Sequence, residues 1–200
     1  MSAAMFFGSL SENAHRFECA PNAFRGDPAD LEEGRFVVYG GPGAASALTS
    51  RVVGRLGDDW LMEDWSAAGP WASGWLYQVG RDGRVRKAWV AGNSERVWVE
   101  VRVGRAPMAF ESGPEKPGET SISEQSKVVN AGSFACKRVR FTMSHAGEVF
   151  HSDSWYSKDV WRLRNHSEHG GLVAVEANGE VVTWLDEMGT DAKPTLPLPK

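Results

Sequence analysis

From Arg35 to Arg105 a turn signal recurs every ~8–12 residues, with alternating side chains between the turns. A strand sends successive side chains to opposite faces, so this pattern restricts the chain to an all-β meander. Strands are expected over Phe36–Tyr39, Leu48–Leu56, Trp60–Trp65, Trp71–Tyr77, Val85–Trp89 and Val97–Val103. The turns between them are Gly40–Gly43, Gly57-Asp58-Asp59, Gly69-Pro70, Asp82-Gly83 and Gly92-Asn93. These residue types accept the backbone angles that tight turns require.

The second half repeats the pattern. Lys137, Val139, Phe141 and Met143 alternate with Cys136, Arg138, Arg140 and Thr142, and Val149 to Tyr156 alternates again after the turn Ser144–Glu148. Asn178-Gly179 stands between LVAVEA and EVVTWL, and both residues tolerate the positive φ of a type I′ hairpin.

Within this half a spaced pattern stands out. It comprises Ala131, Gly132, Phe134, Cys136, Lys137 and Val139, then Trp155, Tyr156, Ser157 and Val160, then Gly170, Gly171, Leu172, Val173 and Gly189. The pattern resembles the C-terminal half of bacterial lipoprotein carriers of the LolA/LolB type, across about a third of the chain. Where such proteins often carry Pro-Gly after the valine of the WYS motif, this chain has Trp161–Arg164. The resemblance implies an open, strongly curved antiparallel half-barrel with helices across its mouth. It also implies an apolar small molecule or lipid anchor as partner, and a position peripheral to a membrane.

Two hundred residues suit one domain, taken as 1–190 with a Pro-rich tail at 191–200 that is expected to be extended and poorly ordered. Helical signals are few. Ser2–Ala14 has near-helical apolar spacing interrupted by Gly8, and Asp27-Pro28 to Gly34 reads as one capped helical turn. Residues Arg105–Ser126 are rich in Pro, Gly and mixed charge, and read as a loop crossing an open end of the sheet. The fold class is therefore mainly β with minor α: one curved antiparallel sheet, an open half-barrel, with one or two short helices.

A formal net charge of −4 argues against a general nucleic-acid binder. Cys19 and Cys136 cannot staple a disulfide scaffold, and read as two reduced thiols or, in an exported protein, one bridge. Met1–Leu10 lacks the basic start and continuous apolar run of a secretory signal, and no transmembrane span is present. The location expected of the chain as written is cytoplasmic; a start lying upstream would instead place it in the bacterial periplasm or envelope.

Nine Trp against three Tyr set the candidate ligand site. Trp71, Trp75, Tyr77 and Trp89 fall on alternating positions of consecutive strands, and could line one concave face that binds an apolar ligand. Core filling is the competing reading of the same rings. His166 and His169, with His145, His151 and Asp153, are the candidate metal ligands, although Gly170-Gly171 ends any helix there and no HExxH frame exists. Cys136 lacks the glycine-flanked turn of a nucleophile and reads as a structural thiol. Arg81–Arg105 carries seven Lys or Arg against three acids, interleaved with Trp89 and Trp98; an ordinary charged strand face explains it, and an anionic surface contact is the alternative. Non-enzymatic binding without a cofactor is the leading expectation. A partner-binding domain with a packed core comes second, and a metal enzyme using the His166/His169 loop third.

Overall fold

The computed structural model describes residues 17–43, 47–66, 73–92, 96–105, 118–145, 148–165 and 167–199. Twelve strands form: β1 Glu18–Cys19, β2 Phe36–Gly40, β3 Leu48–Leu56, β4 Asp59–Ser66, β5 Ser73–Val79, β6 Val85–Gly92, β7 Val99–Val103, β8 Gly118–Val129, β9 Gly132–His145, β10 Glu148–Ser157, β11 Gly171–Ala177 and β12 Glu180–Gly189. They join in one sheet of order β1-β7-β6-β5-β4-β3-β2-β12-β11-β10-β9-β8. The first meander runs outward from β2 to β7 and the second from β12 to β8; β12 pairs with β2 to fuse them. Every neighbouring pair is antiparallel except β1 with β7.

Turn chemistry accounts for the hairpins. Asn178 has φ 51° and Gly179 φ 84°, the two left-handed positions of a type I′ turn. Asn178 also ties this tip to β10: its Oδ1 accepts from His151 N–H at 2.8 Å, and its own N–H donates to His151 O at 2.8 Å.

The sheet does not close, and β1 and β8 are its edges. The β8 end nevertheless rolls back on itself. Ala131 N–H donates to Leu185 O at 3.3 Å, Asn130 bonds Asp186, and Lys127 pairs with Glu176, so the β8–β9 tip meets β11 and β12 across the intervening strands. Buried Trp155 lies in this roll, with Lys127 Nζ 3.9 Å from its ring centre.

Several expectations are corrected. The helix expected over 2–14 lies outside the described residues. The turn at Asp27 forms, with Asp27 Oδ1 accepting from Ala29 N–H at 2.9 Å, but as a 3-10 turn of Pro28–Asp30 only. Among the described residues no α-helix exists, so the half-barrel with helices across its mouth is not what forms. The inner face is covered instead by coil, residues 20–31 and 158–164. The two coils pack backbone to backbone: Asp27 N–H donates to Arg162 O at 2.7 Å, and a Cβ on Gly26 would lie 2.4 Å from Arg162 O. Arg162 pairs with both Asp27 and Asp30, at 2.5 and 3.0 Å. Of the loop expected over 105–126, residues 118–126 form most of β8, the longest strand in the sheet apart from its partner β9. The tail is packed: Leu196 is buried and Leu198 sits against the outer face.

Two cores result. The inner one gathers Val37, Tyr39, Val52, Met62, Tyr77, Val79, Ala88, Val90 and Val101 beneath Phe24, Leu31, Val160 and Leu163. The outer one holds Val53, Leu61, Leu76 and Trp89, with Trp98 and Leu198.

Candidate functional site

Directly paired strand residues share a face, and this rule sorts the aromatic candidates. Asp64 pairs with Trp75, Met62 with Tyr77, and Tyr77 with Ala88, all on the inner face. Trp89 pairs with Leu76, one residue out of phase, and belongs to the outer core. The structure therefore brings Trp75 and Tyr77 together, with ring centres 6.1 Å apart and planes 8° from parallel, and places Trp89 on the opposite side of the sheet. Trp71 lies outside the described residues. Among the described residues, two of the four expected rings share the inner face and one lies on the outer face.

Beside these two rings the coil cover leaves a cleft of ≈ 420 Å³, lined by Ala23, Phe24, Arg25, Asp64, Tyr77, Leu163 and Arg164. Its apolar part is Phe24 and Leu163 from the cover and Tyr77 from β5. Its polar part is an ion pair: Arg164 Nη1 to Asp64 Oδ2 at 2.6 Å. Ser50 Oγ donates to Asp64 Oδ1 at 2.5 Å. Burial pushes the Asp64 carboxyl above its ordinary value, against the opposing pull of Arg164 and Ser50. Burial likewise raises the Tyr77 phenol, and both Asp64 and Arg164 act on it electrostatically. The Asp64 contact uses one of the five N–H donors of Arg164, whose side chain remains 35% exposed. The cleft thus combines an apolar wall with a guanidinium able to bond an acidic group.

Phe24, Asp64, Leu163 and Arg164 were not among the residues singled out from sequence. A signal existed for one of them: Asp64 falls in phase with Met62, on the apolar face of its strand, where a carboxylate needs a cation and hydrogen bonds. Phe24, Leu163 and Arg164 lie on coil, which carries no periodicity.

A larger cleft, ≈ 570 Å³, opens between β8–β10 and the following turn, lined among others by Cys136, Lys137, Tyr156, Asp159 and His169. Its thiol is not poised for attack. Burial raises the Cys136 pKa despite nearby Lys127, and Sγ–H donates to Phe134 O at 3.4 Å. Cys19 is pushed up to about 11 by burial, and both cysteines are free thiols.

The metal candidates disperse. His166 lies outside the described residues, His169 stands by the Tyr156 ring, and His151 Nδ1 meets Thr142 Oγ1 at 3.1 Å. Asp153 is held by Arg138 and Arg140 through four hydrogen bonds of 2.7–3.0 Å. Among the described residues no three His, Cys, Asp or Glu side chains gather as a metal site. The basic stretch also separates from its aromatics: Arg84 and Arg86 are exposed, whereas Trp89 is buried. No helix among the described residues is long and apolar enough to cross a membrane.

Comparison with protein families and with curated proteins yields no match. Among solved structures the chain is similar to a candidate exported protein with a YmcC-like fold from Bacteroides fragilis. The identity is 13%, the TM-score 0.33, and the match covers 83% of this chain and 98% of that one. A likeness that loose transfers neither fold nor activity. The lipoprotein-carrier resemblance seen in residues 130–189 gains no family match.

Proposed function

We propose that this protein is a non-enzymatic binder of a small amphipathic molecule, a short acyl chain or ring ending in an acidic group, held in the inner-face cleft. One observation carries the reading: Tyr77, whose ring stacks on Trp75, and the partly exposed Arg164 line one cleft of ≈ 420 Å³. That size falls in the range of about 300–1,000 Å³ usual for small-molecule sites. The chain would lie against Tyr77, Phe24 and Leu163, and the acidic group would take the remaining donors of Arg164. Burying about 200 Å² of ligand surface at roughly 25 cal/mol per Å² contributes about 5 kcal/mol before ordering costs. Micromolar to millimolar affinity follows once the head group is added.

Titration of tryptophan fluorescence with lauric acid tests this. A saturable change is expected, weakened about tenfold by Arg164→Gln, the loss of one charged hydrogen bond of ~1.5 kcal/mol. No saturable change in the wild type up to millimolar ligand overturns it.

A second reading rests on β8. This edge strand pairs with β9 in unbroken register from Gly118 to Val129, is exposed along almost its whole length, and carries no proline or bulge. Edges without such guards invite another strand. In that case the protein is a partner-binding domain, and the cleft holds solvent.

A further inference from the structure

The two edges of the sheet differ in what they offer another strand. β1 is two residues long, whereas β8 presents twelve, paired with β9 in one unbroken register. Only part of β8 is open. Lys127 and Val129 are half-buried where the roll meets β11 and β12, through Lys127 with Glu176 and Ala131 N–H with Leu185 O. Gly118–Ser126 is exposed at every residue, and no proline or bulge guards it. Ile122 is the middle residue of this stretch and its one large apolar side chain. It is 53% exposed and pairs with Val139 on the face opposite Trp155.

The stretch is self-complementary. Strand N–H and C=O groups face sideways from every second residue, so two copies related by a two-fold axis pair only in registers centred on a residue. Centring on Ile122 sets Ile122 on its own copy, Thr120 on Glu124, Ser121 on Ser123, Glu119 on Gln125 and Gly118 on Ser126. No two carboxylates then stand opposite one another, and Glu124 is already neutralised by Lys137 Nζ at 2.7 Å. Neighbouring registers fail on charge or fit. Centring on Ser121 or Ser123 sets Ile122 against Thr120 or Glu124, and centring on Glu124 sets that carboxylate on itself. Centring on Gln125 sets Ile122 on Val128, but lays the second strand along the end of β8 that the roll occupies.

We infer that β8 is a self-association edge: a second copy of this chain adds its own Gly118–Ser126 antiparallel, about a two-fold axis at Ile122. The inference rests on the open edge of the partner-binding reading and on nothing else in it; the inner-face cleft has no lining residue on β8. The pairing is isologous and joins two twelve-stranded sheets edge to edge. The row Val175, Ser154, Val139 and Ile122 then continues across the axis into its copy. One strand pair buries less than the about 1,200 Å² of a standard interface, so the dimer is weak, with a Kd on the order of 10–100 µM, and separates on dilution.

Sedimentation velocity of the full chain between ~1 µM and ~1 mM tests this. The wild type should pass from monomer to dimer. Ile122→Lys and Ile122→Glu should each weaken the dimer at least about tenfold, since like charges then face each other across the axis. Both should keep the wild-type unfolding temperature, because the side chain is exposed. An equal mixture of the two variants should dimerise again, because residue 122 meets itself only in this register. The inference is overturned by a wild type that stays monomeric at ~1 mM, by dimers that both variants leave intact, or by variants that do not recover on mixing. A lowered unfolding temperature in both variants would contradict the exposed position on which the axis stands. Hydrogen exchange on the dilute protein tells a failure of self-pairing from a failure of the open edge. A persistent monomer whose outward β8 amides exchange fast loses the self-pairing alone. A persistent monomer whose β8 amides all exchange slowly loses the open edge as well.

Discussion

Asp153 shows how much one inward carboxylate can organise. Arg140 and Arg138 grip it from adjacent positions of β9, and its side chain is only 3% exposed. The hydrogen bonds of Arg140, then those of Arg138, hold its carboxyl well below the usual range against the cost of burial. A depressed folded pKa contributes stability above the unfolded value near 4, and that contribution is lost as pH falls through the folded value. Asp153→Asn should therefore cost about 3 kcal/mol at pH 7 in urea denaturation, allowing for the solvent screening of Arg140. The gap between variant and wild type should narrow below about pH 4. A gap that persists unchanged at pH 2 contradicts the ion-pair origin.

At the scale of elements, the cover and the edge behave oppositely. The cover is coil held by contact: Gly26 meets the carbonyls of Arg162 and Leu163, at 2.4 and 2.6 Å from where a Cβ would sit. Gly26→Ala should force the two coils apart and cost about 2 kcal/mol, as overpacking does, measured by thermal or urea unfolding. A neutral result would mean the coils separate freely. The edge strand β8 is held by one ladder only. Its amides alternate between pairing with β9 and facing outward, so hydrogen exchange along Glu119–Val128 should alternate slow and fast. Uniform protection would show another chain on that edge and favour the partner-binding reading.

For the whole molecule, what was legible in the sequence is what burial imprints on one face of a strand. β3 reads over Leu48–Leu56, as the alternation has it, and β4, β6 and the Asn178-Gly179 hairpin fall where turn and period place them. β8 escaped because Glu119, Thr120, Ser121, Ser123, Glu124 and Gln125 are exposed on both faces, leaving no apolar phase to read. β1 is two residues long and parallel, and the covering coils have no period at all. The aromatic site failed halfway for a related reason. Alternation fixes phase within one strand, but the phase between β5 and β6 depends on their register, which pairs Trp89 with Leu76. The tail looked disordered by composition, yet Thr195 supplies hydrogen bonds to a carboxylate buried at 0% exposure. Composition does not report such a partner 132 residues away.

Native mass spectrometry of the protein incubated with millimolar lauric acid tests the inner-face cleft most directly. One adduct per chain is expected in the wild type, absent from Tyr77→Ala and much reduced in Arg164→Gln. No adduct in the wild type, or an equal adduct in all three proteins, would contradict binding at that cleft.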